Sequence, residues 1–315
     1  MTTSRPNAPF PDLPPPDLRP DRPAKADTLL DYGRRLDRVV RHIAAHLDDP
    51  LDLDALAAVA CFSPYHFHRI YRAMTGETVT DTLRRQRLHR AAGALVQDAR
   101  TIAAIARQAG YGSVAAFTRA FAQSYGVTPA AYRRAGRLSP FAWPHDDKPN
   151  RTPEDIMPTV TTPTVTIETL PATSLIGFDH RGPYMEINAA FSRAYAWAAG
   201  RNLMTPATRC IGVYFDDPSA VAPTDLRSFA GLALESAPAL EDGAKSLDLP
   251  GGRHAVLVHK GPYAALGAVY QWLYGEWLPA SGQTPADQPC FEEYLNDPRS
   301  VPPEEWLTRI CVPLT

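Results

Sequence analysis

Two stretches decide the fold: DLDALAAVACFSPYHFHRIYRAMTG, residues 52–76, and TIAAIARQAGYGSVAAFTRAFAQSYG, residues 101–126. In the first, Asp52 is placed to cap a helix whose apolar face is Leu53, Leu56, Ala57 and Ala60. After a Cys61-Phe62 turn, Ser63 and Pro64 open a second helix with Phe67, Ile70, Tyr71 and Met74 facing inward, and Gly76 ends it. The second stretch repeats the plan. Thr101 opens a helix with Ile102, Ile105, Ala106 and Ala109, the turn is Gly110-Tyr111-Gly112, and Ser113 caps a helix with Phe117, Ala120 and Phe121 that stops at Gly126. Two short helices about a tight turn, the second presenting polar residues, form a helix-turn-helix unit. The copies lie about 50 residues apart. Between them, Thr78 and Asp81 form a capping box for a rod with the inner stripe Leu83, Leu88, Ala91, Ala92 and Leu95.

Composition sets the frame for these motifs. The 315 residues are 44% hydrophobic and 21% charged, ordinary globular material and enough for two domains. No apolar run approaches a membrane span and the N-terminus carries no hydrophobic signal region, so a cytoplasmic, nucleoid-associated protein with no membrane partner is expected. The four cysteines are widely spaced, and no metal-site, phosphate-loop or His-Glu-x-x-His pattern is present, so neither metal nor cofactor is expected. The formal charge of -2 hides an asymmetry. Residues 31–137 hold 16 Arg against 9 acidic residues, a net +7, whereas residues 160–315 hold 10 basic against 17 acidic, a net -7. The first half suits a polyanion and the second does not. Residues 1–26 read as a disordered Pro-rich tail and 138–160 as a stiff Pro-rich linker between domains at 31–137 and 161–315.

The run Ser63-Pro64-Tyr65-His66-Phe67-His68-Arg69-Ile70-Tyr71, with Gly110-Tyr111, Phe117, Arg119, Phe121, Thr128-Pro129 and Tyr132-Arg133, resembles the DNA-binding domain of the AraC/XylS family of transcription regulators. The resemblance implies double-stranded DNA as partner, with RNA polymerase a further one, and outward residues that meet the duplex. These are Tyr65, His66, His68, Arg69 and Arg72 in the first copy and Ser113, Val114, Ala115, Thr118 and Arg119 in the second. Arg69 is the expected base reader, since arginine donates two hydrogen bonds to guanine. The alternative is that these residues are solvated or touch phosphates only. Well-known members of the family carry amides near Val114 and Ala115, so weaker specificity is expected there. Arg84, Arg85, Arg87 and Arg90 on the rod are either phosphate contacts or a solvated face. Both recognition helices in one chain imply an asymmetric promoter site of roughly 20 base pairs, read in successive grooves.

The remainder is an internal duplication. His180-Arg181-Gly182-Pro183-Tyr184 recurs 79 residues later as His259-Lys260-Gly261-Pro262-Tyr263, and Phe215-Asp216-Asp217-Pro218 recurs 80 residues later as Leu295-Asn296-Asp297-Pro298. Strand patterns at 165–170, 174–180, 209–215 and 228–235 repeat at 245–249, 255–259, 289–295 and 306–312, with helices near 186–200 and 264–278. The fold class is therefore an all-α double helix-turn-helix domain followed by an α+β domain of two ββαββ units. The paired Gly-Pro-Tyr motifs, the run 277–282 and Phe291-Glu292-Glu293-Tyr294 resemble the GyrI-like (Rob/SbmC-type) small-molecule-binding domain.

That resemblance implies an aromatic or cationic effector held between the halves, as in multidrug sensors. The candidate ligand residues are Glu292, Tyr294, Phe191, Tyr195, Trp197, Tyr270 and Trp272, while Val269, Leu273 and Trp277 have the spacing of a buried stripe. Strand alternation puts Glu292 and Glu293 on opposite faces, so one of them points inward, where its carboxylate needs a cation from a ligand or an arginine. Its counterpart in the first repeat is Gly212. The expected function is a regulator that senses a small molecule and is not an enzyme. The competing reading is hydrolysis of a strained cyclic compound, with Glu292 and Tyr294 handling the proton.

Overall fold

The computed structural model describes residues 25–136, 163–236 and 238–315. The linker expected at 138–160 and most of the expected tail lie outside them. The tail's last residues are already helical, because α1 runs Lys25–Ala45. The first helix-turn-helix is α2 (Leu53–Ala60) with α3 (Pro64–Thr75), and the second is α5 (Ile102–Gln108) with α6 (Val114–Tyr125). The rod α4 (Val79–Gln97) joins them, and α7 (Pro129–Ala135) closes the helical part. At 1.5 Å per residue the 19 residues of α4 span about 28 Å.

The helix starts follow from their caps. Asp52 accepts from the amides of Asp54 and Ala55, Ser63 from Tyr65, Thr101 from Ala104 and Ser113 from Ala116, while Thr78 and Asp81 form the reciprocal box. The second turn needs Gly110, whose φ is +85° and where a Cβ would sit 2.7 Å from Arg87 Nη1. The first turn has Cys61 at φ 53°, a left-handed position occupied without the relief glycine gives.

Eight strands form one antiparallel sheet in the order β1-β6-β8-β7-β3-β4-β2-β5. The first repeat supplies β1 (Val165–Leu170), β2 (Thr173–Arg181), β3 (Arg209–Tyr214) and β4 (Arg227–Ala233). The second supplies β5 (Lys245–Leu249), β6 (Gly252–Lys260), β7 (Cys290–Tyr294) and β8 (Leu307–Pro313). The order is symmetric about the β7·β3 junction, where Gly212 faces Glu292. The halves are not self-contained. Each gives its first strand to the other, since β1 pairs with β6 and β5 with β2. The two-residue connections Pro171-Ala172 and Pro250-Gly251 account for this: proline cannot take the positive φ that a tight hairpin turn requires. The connections instead approach each other, and a Cβ at Gly251 would lie 2.6 Å from the Ala172 nitrogen.

One sheet face carries α8 (Asn188–Ala199), α9 (Leu266–Trp272), a π-helical segment Leu273–Trp277 and α10 (Leu278–Ser281). Three cores result. The largest is continuous from Leu36 and Ile43 of α1 and Phe67, Ile70 and Tyr71 of α3 into Leu273, Tyr274, Leu278 and Cys290 of the sheet domain. The second helix-turn-helix has its own core of Leu88, Leu95, Ile105, Phe117, Phe121 and Tyr132. The far sheet face has a third around Leu175, Val213 and Phe229. The two helix-turn-helix units are thus unequal: one is built into the C-terminal domain and the other stands apart.

Cys61 is exposed, so relieving its backbone strain sacrifices little packing. Cys61→Gly is expected to stabilise the helical part by roughly 0.5–1 kcal/mol in denaturant unfolding, and a loss of stability would show that the thiol's contacts outweigh the strain.

Candidate effector site and DNA-reading helices

Alternate residues of β7 point Cys290, Glu292 and Tyr294 at the helical layer, beside Tyr214, Gly212 and Cys210 of β3. Glu292 is 5% exposed, and its oxygens accept hydrogen bonds from Tyr270 at 2.9 Å and Tyr294 at 3.1 Å. Tyr214 hydrogen-bonds Tyr294 hydroxyl to hydroxyl at 2.5 Å. The missing side chain at Gly212 makes room for this ring, because a Cβ there would lie 3.0 Å from the Tyr214 oxygen. Burial pushes the Glu292 carboxyl up from the usual range, while the tyrosine hydrogen bonds and the charge of Arg69 oppose it. Among the described residues no ion pair reaches Glu292. Its neighbour Glu293 is equally buried but neutralised on the other face. Burial would raise its carboxyl, yet Arg209 at 2.6 Å and Arg309 at 3.2 Å hold it below the usual range. Both glutamates are therefore turned inward, and only one has its counter-charge in the same domain.

The walls come from the repeats. Tyr184 packs edge-on against Tyr214 at 4.8 Å, and its equivalent Tyr263 packs edge-on against Tyr294 at 5.4 Å. These are the tyrosines of the two Gly-Pro-Tyr motifs, and the repeat itself was the signal that marks them. Phe191 adjoins the cage through Tyr294, at 5.6 Å. Two of the aromatic candidates lie elsewhere: Trp197 is buried with its nitrogen donating to the Glu241 carbonyl, and Trp272 is half-buried against the large core, whereas Tyr195, partly exposed, borders the site through Cys210, the β3 residue paired with Tyr294. The fully buried ring is Tyr274, not Trp277, because the π turn inserts an extra residue and rotates the stripe.

The roof of this site is α3. Expected to face DNA, it instead lies against the π segment and α9. His66 is completely buried, its Nδ1 2.8 Å from the Tyr274 hydroxyl, and Ser63 donates to Asp287 at 2.8 Å. Arg69 lies over the rings of Tyr270 at 5.1 Å and Tyr274 at 5.8 Å, touches Cys290 Sγ and donates to the Asp216 carbonyl at 3.1 Å. His68 is half-buried near Asp217, Tyr65 is half-buried near Arg227, and only Arg72 is exposed. The expected outward placement thus fails for His66 and Arg69: a polar helix face suits an aromatic, acidic domain as well as it suits a groove. In the second copy Ser113, Val114, Ala115 and Arg119 are exposed and Thr118 half-buried. Three of the four rod arginines are partly buried and engaged within the helical part. Arg87 donates to the Leu47 carbonyl at 2.7 Å, Arg90 pairs with Asp48 and Arg85 with Glu77, leaving Arg84 on the surface beside Asp81. Among the described residues no group of His, Cys, Asp or Glu could hold a metal ion, and no helix is long and apolar enough to cross a membrane.

Residues 56–135 match a helix-turn-helix domain family, and residues 163–315 match the GyrI-like small molecule binding domain. The chain belongs to the AraC-type helix-turn-helix proteins that carry a C-terminal GyrI-like domain. It is 41% identical over 99 residues to the transcriptional regulator Rob of Salmonella typhimurium, 31% of this chain and 34% of that one, and equally so to the right origin-binding protein of Escherichia coli. It is 32% identical over 155 residues to a DNA gyrase inhibitor of Edwardsiella piscicida, which covers 48% of this chain and 97% of that protein. The chain spans about a third of the length of the first two relatives.

Burial, and next the charge of Arg69, lower the His66 pKa to about 3, while the backbone of Gln288 and Ala286 raises it. A group whose pKa falls on docking stabilises the docked state fully above its free value and loses that contribution as pH drops toward the docked one. Glu292 loses charge, and with it Arg69's attraction, in the same direction. Taking the pH from 7.5 to 5.0 should weaken α3 docking by about 2 kcal/mol, seen as faster rate-corrected hydrogen exchange of residues 64–75. Unchanged protection would show that His66 is not held neutral.

Proposed function

We propose that the protein is a ligand-responsive transcription regulator: the helical part binds double-stranded DNA, and the tyrosine cage around Glu292 binds an aromatic or hydrophobic cation. The observation that carries it is a buried carboxylate satisfied by hydroxyl groups yet given no counter-charge by the described residues of its own domain. A buried carboxylate costs several kcal/mol unless paired, so a site left in this state favours a cation. Tyrosine faces supply cation–π attraction and tolerate varied apolar shapes. On the DNA side, the exposed α6 face and the net +7 of residues 31–137 supply groove and phosphate contacts. The relatives' names, a transcriptional regulator, an origin-binding protein and a gyrase inhibitor, fit a protein that acts at DNA. RNA polymerase is the partner an activating regulator would recruit.

One observation favours the hydrolase reading: Glu292, its carboxyl raised by burial, lies 3.1 Å from the Tyr294 hydroxyl, a pair able to pass a proton. Burial also pushes the Tyr294 and Tyr270 hydroxyls well above the usual range, which keeps them as hydrogen-bond donors to a fixed carboxylate.

Glu292→Gln keeps the shape of the site and removes its charge. The variant should bind tetraphenylphosphonium about tenfold or more weakly than the parent, with the affinity for neutral triphenylphosphine oxide changed much less. An equal loss for the two compounds in a calorimetric titration would remove charge pairing from the role of Glu292.

A further inference from the structure

A cation already lies beside the Glu292 cage, over the ring of the Tyr270 that donates to Glu292, and it comes from the other domain. The guanidinium of Arg69 stacks over Tyr270 and Tyr274 and rests on Cys290, the residue two before Glu292 on the same sheet face. A guanidinium is planar, permanently charged and weakly hydrated, which is the chemistry expected of the effector itself. It is also the side chain that the first recognition helix would need for reading bases. One guanidinium cannot lie in the cage and in a major groove together.

The docking around it is built rather than incidental. His66 meets Tyr274, Ser63 meets Asp287, and the Tyr32 hydroxyl donates to the Gln283 carbonyl at 3.1 Å. The helices approach so closely at Gly275 that a Cβ there would lie 2.9 Å from the Ala73 Cβ and 3.1 Å from its carbonyl oxygen. Glycine at this point lets α3 sit down on the π segment.

We propose that Arg69 is the built-in occupant of the cage, and that an aromatic cation entering beside Glu292 expels it and frees the first recognition helix, so that effector and DNA bind with positive coupling. This rests on the effector reading above and adds its regulation. Until the cation arrives, the chain is a half-reader, with α6 available and α3 shut. An occupant that must leave lowers the apparent affinity of the ligand by the fraction of open molecules, and by reciprocity DNA that captures Arg69 should tighten the ligand.

The test is titration of the full chain with tetraphenylphosphonium, comparing the parent, Arg69→Met and Gly275→Leu, with thermal melting to confirm folding. Arg69→Met empties the cage of its resident charge and keeps its walls, and binding should tighten about tenfold or more. Gly275→Leu wedges the domains apart without touching Arg69 and should move affinity in the same direction, which keeps the test decisive if the first variant folds poorly. If the variants bind as the parent does, or more weakly, the cage has no internal occupant to expel, while the effector site stands. If none of the three binds, the aromatic-cation reading of the cage fails and this inference with it.

Discussion

A guanidinium laid over two tyrosine rings, beside a carboxylate to which the described residues of its own domain bring hydroxyl groups but no cation, ties the halves of this chain together. The duplicated sheet domain is nearly symmetric, but at its centre one repeat has Gly212 and the other Glu292. The small residue lets Tyr214 lean across toward Tyr294, and three tyrosines then surround a single charge. Hydrogen bonds from neutral hydroxyls reduce the cost of burying that charge without cancelling it. A cation is what the arrangement lacks, and α3 brings one.

The consequences spread through packing. α3 has two working faces: Phe67, Ile70 and Tyr71 join it to its own helix-turn-helix, while His66, Arg69 and Ala73 join it to the sheet domain. A single core therefore runs across the boundary between a basic and an acidic region. Asp216, Asp217 and Asp287 stand near side chains that the phosphates of a duplex would otherwise attract. The acidic domain competes with DNA by the same electrostatics that DNA uses. The second helix-turn-helix, on a separate core at the far end of a rod of about 28 Å, is spared that competition.

Much of this was legible in the residues. Caps and glycine stops placed α2 to α6, the Gly-Pro-Tyr duplication revealed the two halves, and alternation around Glu292 and Glu293 showed that a carboxylate must turn inward. The rest depended on long-range facts that local patterns do not carry. Period 3.6 shows that His66 and Arg69 lie off their own core, but not whether water, DNA or another domain meets them. The strand exchange follows from two prolines whose effect on turn geometry is plain only once the pairing is known. The π turn shifts burial from Trp277 to Tyr274, which regular helical spacing cannot anticipate. For the rod arginines phosphate contacts and a solvated face stayed equally open, because charge composition does not reveal backbone carbonyls and carboxylates waiting nearby.

Sensing and reading are coupled here only if the cage and the groove compete for one helix. The direct measurement is the affinity of the unmodified chain for a duplex at moderate salt, with and without saturating tetraphenylphosphonium, together with the slope of log affinity against log salt. A freed α3 should tighten the complex about tenfold or more and steepen the slope as more phosphates are engaged. An affinity and slope that stay the same when the cation is demonstrably bound would contradict the account.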